Sequence, residues 1–109
     1  MSKRVLLDEN LPQKLRLLLR DHSVLTTAYQ GWAGMSNGIL LAAAEKAGFD
    51  ELVTADQGLN YQQNIAELNL ALVVLSSNKQ SLVIRGAPRI SIAIDEAMPG
   101  NFTFVDIGS

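Results

Sequence analysis

Cysteine is absent and histidine occurs once, at position 22. No disulfide framework or thiolate metal site can therefore form, and with a single imidazole any metal site would rest mainly on oxygen. No apolar run is long enough to span a bilayer, and no membrane partner is expected. The start, Met1-Ser2-Lys3-Arg4 followed by three apolar residues, lacks the longer apolar centre of a secretory signal, which makes the cytoplasm the expected location. An excess of positive charge is missing too. Nine Lys and Arg against eleven Asp and Glu leave a net charge of −2, so no global field advertises a nucleic-acid partner. Local cationic groups remain: Lys3 and Arg4, then Lys14, Arg16 and Arg20, then Arg85 and Arg89. There is no repeat, low-complexity tract or linker. What is present, 109 residues with 48% hydrophobic and 18% charged, describes one globular domain over residues 1–109.

The stretch Val5-Leu6-Leu7-Asp8-Glu9-Asn10-Leu11-Pro12 organises the chain. Apolar strand formers run directly into two carboxylates and an amide, and a proline follows where a helix would start. Leucines at 11, 15, 18 and 19 predict a surface helix of about three turns, closing near Asp21-His22. Val24 to Thr27 reads as a second strand, and residues 28–36 as an irregular segment holding the single tryptophan between Gly31 and Gly34. Ser36 caps an alanine- and leucine-rich helix that ends at Gly48. Phe49 to Ala55 is a third strand, Tyr61 to Glu67 a short helix, and Leu70 to Leu75 a wholly apolar fourth strand. Ser81 to Arg85 is open between strand and helical turn. Pro88 to Ala97 predicts a final helix that packs on the core or serves a homodimer interface, and Phe102 to Val105 a last strand. Strands alternating with helices in this way predict an α/β fold, a layered α/β/α sandwich around a mostly parallel sheet with mostly right-handed crossovers.

Leu52-Val53-Thr54-Ala55-Asp56 repeats the pattern of an apolar strand ending in an acid. In an open parallel sheet the carboxyl ends of the strands are where ligands bind, so Asp8 and Asp56 are expected to meet there. Adjacent strands lie roughly 5 Å apart, a spacing that lets one hard cation bridge two such carboxylates. Oxygen ligands favour Mg²⁺ or Mn²⁺, which would offset charge on a phosphodiester and acidify a bound water. The alternative is that Asp8 caps the helix beginning near Pro12 and Asp56 opens a turn.

The succession Leu7-Asp8-Glu9-Asn10-Leu11-Pro12, then Gly34 to Asn37 opening an alanine-rich helix, then Leu52-Val53-Thr54-Ala55-Asp56, resembles the small PIN-like domains of prokaryotes. Many of these are toxins of toxin–antitoxin pairs. The resemblance covers residues 4–75 and implies a PIN-like α/β/α fold whose acidic cluster binds Mg²⁺ or Mn²⁺ for RNA cleavage. Asp8 matches the acid ending the first strand, and Asp56 matches the acid after Thr-x. Asn37 stands where an acid commonly opens the central helix, and Gly58 stands where a second acid often follows. On this resemblance Asp8, Asp56 and Asn37 would be catalytic, and Asp8, Asp56, Glu9 and Asn37 would hold the metal. Lys14, Asn60 and Gln63 are candidates for contacting nucleic acid. RNA is the implied substrate, a cognate antitoxin the implied protein partner, and a water held by the ion the nucleophile.

Two other readings compete. One is a PIN-like module that has lost catalysis and acts by binding RNA or a protein, favoured by the missing acids at 37 and 58 and by the negative net charge. The other is a phosphoacceptor receiver, with Asp8-Glu9, Asp56 and Ser76 in the corresponding places. A receiver also needs a lysine after the fifth strand, and no lysine follows Lys79.

Overall fold

The computed structural model describes residues 2–58 and 65–108. Its centre is a five-stranded sheet of β1 (Arg4–Leu7), β2 (Ser23–Thr26), β3 (Glu51–Thr54), β4 (Ala71–Leu75) and β5 (Phe102–Val105), in the order β2-β1-β3-β4-β5. All neighbouring strands pair in parallel, with Leu6 opposite Leu25 and Leu52, and Val73 opposite Val53 and Thr103. The three inner strands have almost nothing but Leu, Val and Ala inside them, as expected of strands covered on both faces.

Side-chain alternation divides the core in two. Val5, Leu7, Val53, Val73 and Leu75 point to one face. There they meet Leu11, Leu15 and Leu19 of the segment carrying a 3₁₀ helix (Gln13–Leu18), together with residues of α3 (Gln80–Arg85) and α4 (Ala87–Glu96). Leu6, Leu52, Leu72 and Val74 point to the other face, against Leu40, Leu41 and Ala44 of α2 (Asn37–Lys46) and Phe49. The result is an α/β/α sandwich. No described helix is long and apolar enough to cross a membrane.

The chain moves in the same direction across the sheet from β2 to β3 and from β4 to β5, yet it crosses on opposite faces, through α2 and through α3–α4. These two crossovers therefore have opposite hands, a departure from the uniform right-handedness that parallel sheets favour. Packing accounts for it. The connection from β1 to β2 is only a short 3₁₀ helix, and α3–α4 complete the cover of the face it leaves bare, with Val83, Ile90 and Ile94 fully buried. Gly86 permits the tight joint between α3 and α4, because a Cβ there would lie 2.6 Å from Ile107 Cγ2.

Several expected elements shift. The three-turn first helix is a six-residue 3₁₀ helix. Leu15 and Leu19 are buried while Leu17 and Leu18 are exposed, so only the four-residue spacing 11, 15, 19 carries the packing. The segment after β2 is not wholly irregular. Thr26 caps a short α1 (Thr27–Gln30) by accepting from the Tyr29 N–H at 3.1 Å, and Gly31 ends it with φ 77°. The ambiguous stretch near Ser81 is helical. Of the short helix expected from Tyr61, only Ile65–Glu67 falls within the described residues.

The amino ends of the strands gather a polar cluster. Lys3 Nζ donates to the Ile94, Asp95 and Ala97 carbonyls at the end of α4, at 2.8, 3.1 and 2.9 Å, and lies 3.1 Å from Glu51 Oε2. That is a favourable place for a cation, given the free carbonyls and negative pole of a helix C-terminus. Burial pushes the Glu51 carboxyl up to about 7, against the opposing effect of Lys3. Its proton is therefore held more tightly in the folded than in the unfolded chain, and the stabilisation this gives is full below about 4.5 and lost as pH rises to about 7. Glu51→Gln should remove that slope. Thermal or urea unfolding between pH 4 and 8 should show wild type losing about 3 kcal/mol relative to the variant. Parallel profiles would refute the assignment.

Candidate functional site

The strand order reverses direction at the β1/β3 boundary: the chain leaves β1 for β2 on one side and returns to β3 on the other. Outside the carboxyl ends of the strands, such a switch point opens a crevice. Asp8 follows β1 and Asp56 follows β3, so both flank it. The Asp8 N–H bonds the Val53 carbonyl at 2.9 Å, extending the β1–β3 ladder past Leu7 and fixing where the Asp8 side chain begins.

A single buried hydroxyl organises the rest. Thr54 Oγ1 donates to Asp8 Oδ2 at 2.7 Å and accepts from the Asp56 N–H at 3.0 Å. Asn10 Nδ2 approaches the same oxygen at 3.4 Å, and Asn10 Oδ1 accepts from Ala55 N–H at 3.4 Å. A hydroxyl has one proton and two acceptor positions, and these contacts use all three. Asp8 Oδ1 accepts from the Glu9 N–H at 2.8 Å. Asp56 Oδ1 accepts from the Gly58 N–H at 3.0 Å, closing the turn after β3. Asn37, in the first turn of α2, donates from Nδ2 to Asp56 Oδ2 at 3.0 Å.

Asn37 and Asp56 thus meet directly and Asp8 is linked to the Asp56 backbone through Thr54, while the other expected participants divide. Glu9 reaches across to the 31–36 loop, where its Oε1 accepts from the Gly34 N–H at 2.8 Å. Among the described residues no group of three or more His, Cys, Asp or Glu stands together for a metal. Lys14 is exposed on the 3₁₀ helix, and Asn60 and Gln63 lie outside the described residues. The donor set to be tested against Mg²⁺ or Mn²⁺ is therefore two carboxylates with amide support. Each carboxylate oxygen accepts one of the hydrogen bonds above and has capacity for another partner. Mg²⁺ commonly takes one or two carboxylates and retains water in its remaining positions, a requirement this set meets.

No protein-family model, curated protein or solved structure matches this chain.

Two members were not singled out from the sequence: Thr54 and Asn10. The signal for Thr54 was a hydroxyl two residues before an acid at a strand end, and for Asn10 an amide two residues after one. Other residues have structural duties. His22 is buried at the opposite edge of the sheet, its Nδ1 accepting from the Lys3 N–H at 3.0 Å and its Nε2 lying 2.6 Å from Asp95 Oδ1. Trp32 holds its loop to the second core, edge-on to Phe49 with ring centres 6.1 Å apart. Lys3 and Arg4, a possible phosphate-contacting pair by sequence, sit at the amino ends of the strands. Arg4 Nη1 donates to the Ala47 carbonyl at 2.7 Å and the guanidinium lies 4.7 Å above the Phe49 ring.

Proposed function

We propose that this chain is a metal-dependent ribonuclease of the toxin-type PIN-like class, acting in the cytoplasm on RNA under the control of a cognate antitoxin. The observation that carries the reading is one buried hydroxyl, at the switch point of a parallel sheet, that bonds the Asp8 carboxylate and the backbone N–H of Asp56.

In this reading Asp8 and Asp56 would hold Mg²⁺ or Mn²⁺, with Asn37 in support. Bound there, the ion would offset charge on the scissile phosphodiester and lower the pKa of water. The chain's own residues hold the site in readiness. Thr54 keeps the Asp8 carboxylate oriented, the Asp56–Gly58 turn orients the second acid, and Asn37 restrains its outer oxygen. Preorganisation of this kind removes the cost of gathering like charges when substrate arrives. Substrate could approach along the groove lined by Arg16, Leu25, Thr26 and Tyr29, since Thr26 ends the strand beside β1. There an arginine could meet phosphate and an exposed tyrosine ring stack a base.

Glu9 turning away to Gly34, with no group of three or more His, Cys, Asp or Glu among the described residues, favours a second reading, in which the module binds RNA or a protein without cutting. Isothermal titration with Mn²⁺, paired with cleavage of single-stranded RNA by wild type and Asp56→Asn, separates the two. Binding and cleavage by wild type alone support the enzyme. Silence toward Mn²⁺ in both proteins, with RNA left whole, sinks it in favour of the binding module. A receiver-like role has less support. Ser76 Oγ, which would have to serve a phosphoryl group, instead donates to the Gly108 carbonyl at 2.8 Å and accepts from the Ile107 N–H at 2.9 Å.

A further inference from the structure

The β5 strand, four residues long, ends the sheet with one edge turned away from β4. The Asn101 and Val105 carbonyls accept from Leu72 and Ser76 on the β4 side, at 3.0 Å each. Alternation along a parallel strand then turns the N–H and C=O groups of Phe102 and Phe104 outward. Proteins that keep an edge single usually guard it with lysine, proline or a bulge. Here the outward positions are two phenylalanines, 38% and 50% exposed. Their rings lie on the face opposite Val105, which is buried against the α4 side. Because the chain crosses from β4 to β5 on that α4 side, no crossover helix of β5 covers the phenylalanines.

The α4 side of the same edge is equally distinctive. A groove of about 410 Å³ runs between α4 and β5, lined by Arg89, Ile92, Ala93, Glu96, Thr103 and Phe104 among others. Ile92 is 58% exposed at its middle. Arg89 stands toward the carboxyl end of β5, where its Nη1 donates to the Asp106 carbonyl at 2.7 Å, and Glu96 lies two helical turns further along α4.

We propose that β5 pairs with β5 of a second copy of this chain, antiparallel about a two-fold axis at Thr103. With Thr103 facing itself, Phe102 of each copy faces Phe104 of the other. These are the residues whose backbone groups point outward, so each pair exchanges both of its N–H···O bonds. The pattern is self-complementary in the way a two-fold interface requires. The four rings gather on one side of the joined sheet, where cross-strand aromatic pairs add to the burial. On the other side Ile92 meets its counterpart, and the axis sets Arg89 of each copy toward Glu96 of the other. This opposite-charge match selects a second copy over an arbitrary extended peptide. Dimerisation would leave the acidic crevice open, since that lies between β1 and β3 and not at the sheet edge.

Sedimentation or light scattering on the full chain tests the proposal, with circular dichroism verifying the fold of every variant. Wild type should be dimeric, and Phe104→Lys, Arg89→Glu and Glu96→Arg should each shift it toward monomer. The combined Arg89→Glu/Glu96→Arg exchange should restore the dimer by reversing both charges. A wild type that stays monomeric up to its solubility limit overturns the proposal. So does a dimer that Phe104→Lys leaves intact, or an exchange that fails to rescue. None of these readouts depends on metal or RNA, so they stand apart from the nuclease reading.

Discussion

Asp8→Asn should reduce Mn²⁺-dependent RNA cleavage by at least about a hundredfold, corresponding to about 3 kcal/mol of transition-state stabilisation. The substitution keeps size and shape but removes the negative charge with which this residue would hold the ion. The proposed donor set has only one other carboxylate, Asp56, so little can compensate. The fold should survive. Asp8 is only partly buried, its backbone N–H remains paired with Val53, and an amide oxygen can still accept from either Glu9 N–H or the Thr54 hydroxyl. Wild-type and variant circular dichroism should agree, with melting temperatures within a few degrees. Equal cleavage rates in the two proteins, once contaminating nucleases are removed, would eliminate Asp8 from the chemistry.

Thr54→Val should have the largest combined effect on stability and activity. The hydroxyl is fully buried, and valine fills the same space without replacing any of its three hydrogen bonds. The Asp56 N–H and one Asp8 oxygen then lose their partner in a confined setting, at a cost of about 1–3 kcal/mol. For a domain of this size each kcal/mol lowers the melting temperature by roughly 4–8 °C. Removing a group that orients proposed metal ligands should also lower cleavage by about 10–100-fold. Thr54→Ser restores the hydroxyl and should recover most of both losses. If valine matched wild type in melting temperature and rate, Thr54 would not organise the crevice.

Much of the architecture was legible before any tertiary information. The strands read at 5–7, 49–55 and 70–75 follow from apolar runs without the polar alternation of a half-exposed strand, and the structure places β1 (Arg4–Leu7), β3 (Glu51–Thr54) and β4 (Ala71–Leu75) at those stretches, inside one parallel sheet. The helix after Ser36 followed from its alanine and leucine content and from Gly48. Other features were hidden because the chain alone cannot express them. Periodicity recorded the buried face of Leu15 and Leu19 but not the tighter winding of a 3₁₀ helix. Ser81 to Arg85 was ambiguous since a short apolar run fits a strand or a helical turn equally well.

The candidate site divides along similar lines. By itself the sequence determined that two strands would end in Asp8 and Asp56, that no thiolate could bind metal, and that Asn37 and Gly58 would bring no charge, all properties of residue type and order. Only the tertiary structure decided that β1 and β3 are neighbours, that the Thr54 hydroxyl bonds both the Asp8 carboxylate and the Asp56 backbone N–H, that Glu9 turns toward Gly34, and that the phenylalanines of β5 remain partly exposed. Those outcomes depend on which strands pair and which face each crossover takes, and such choices arise from packing between segments far apart in the chain.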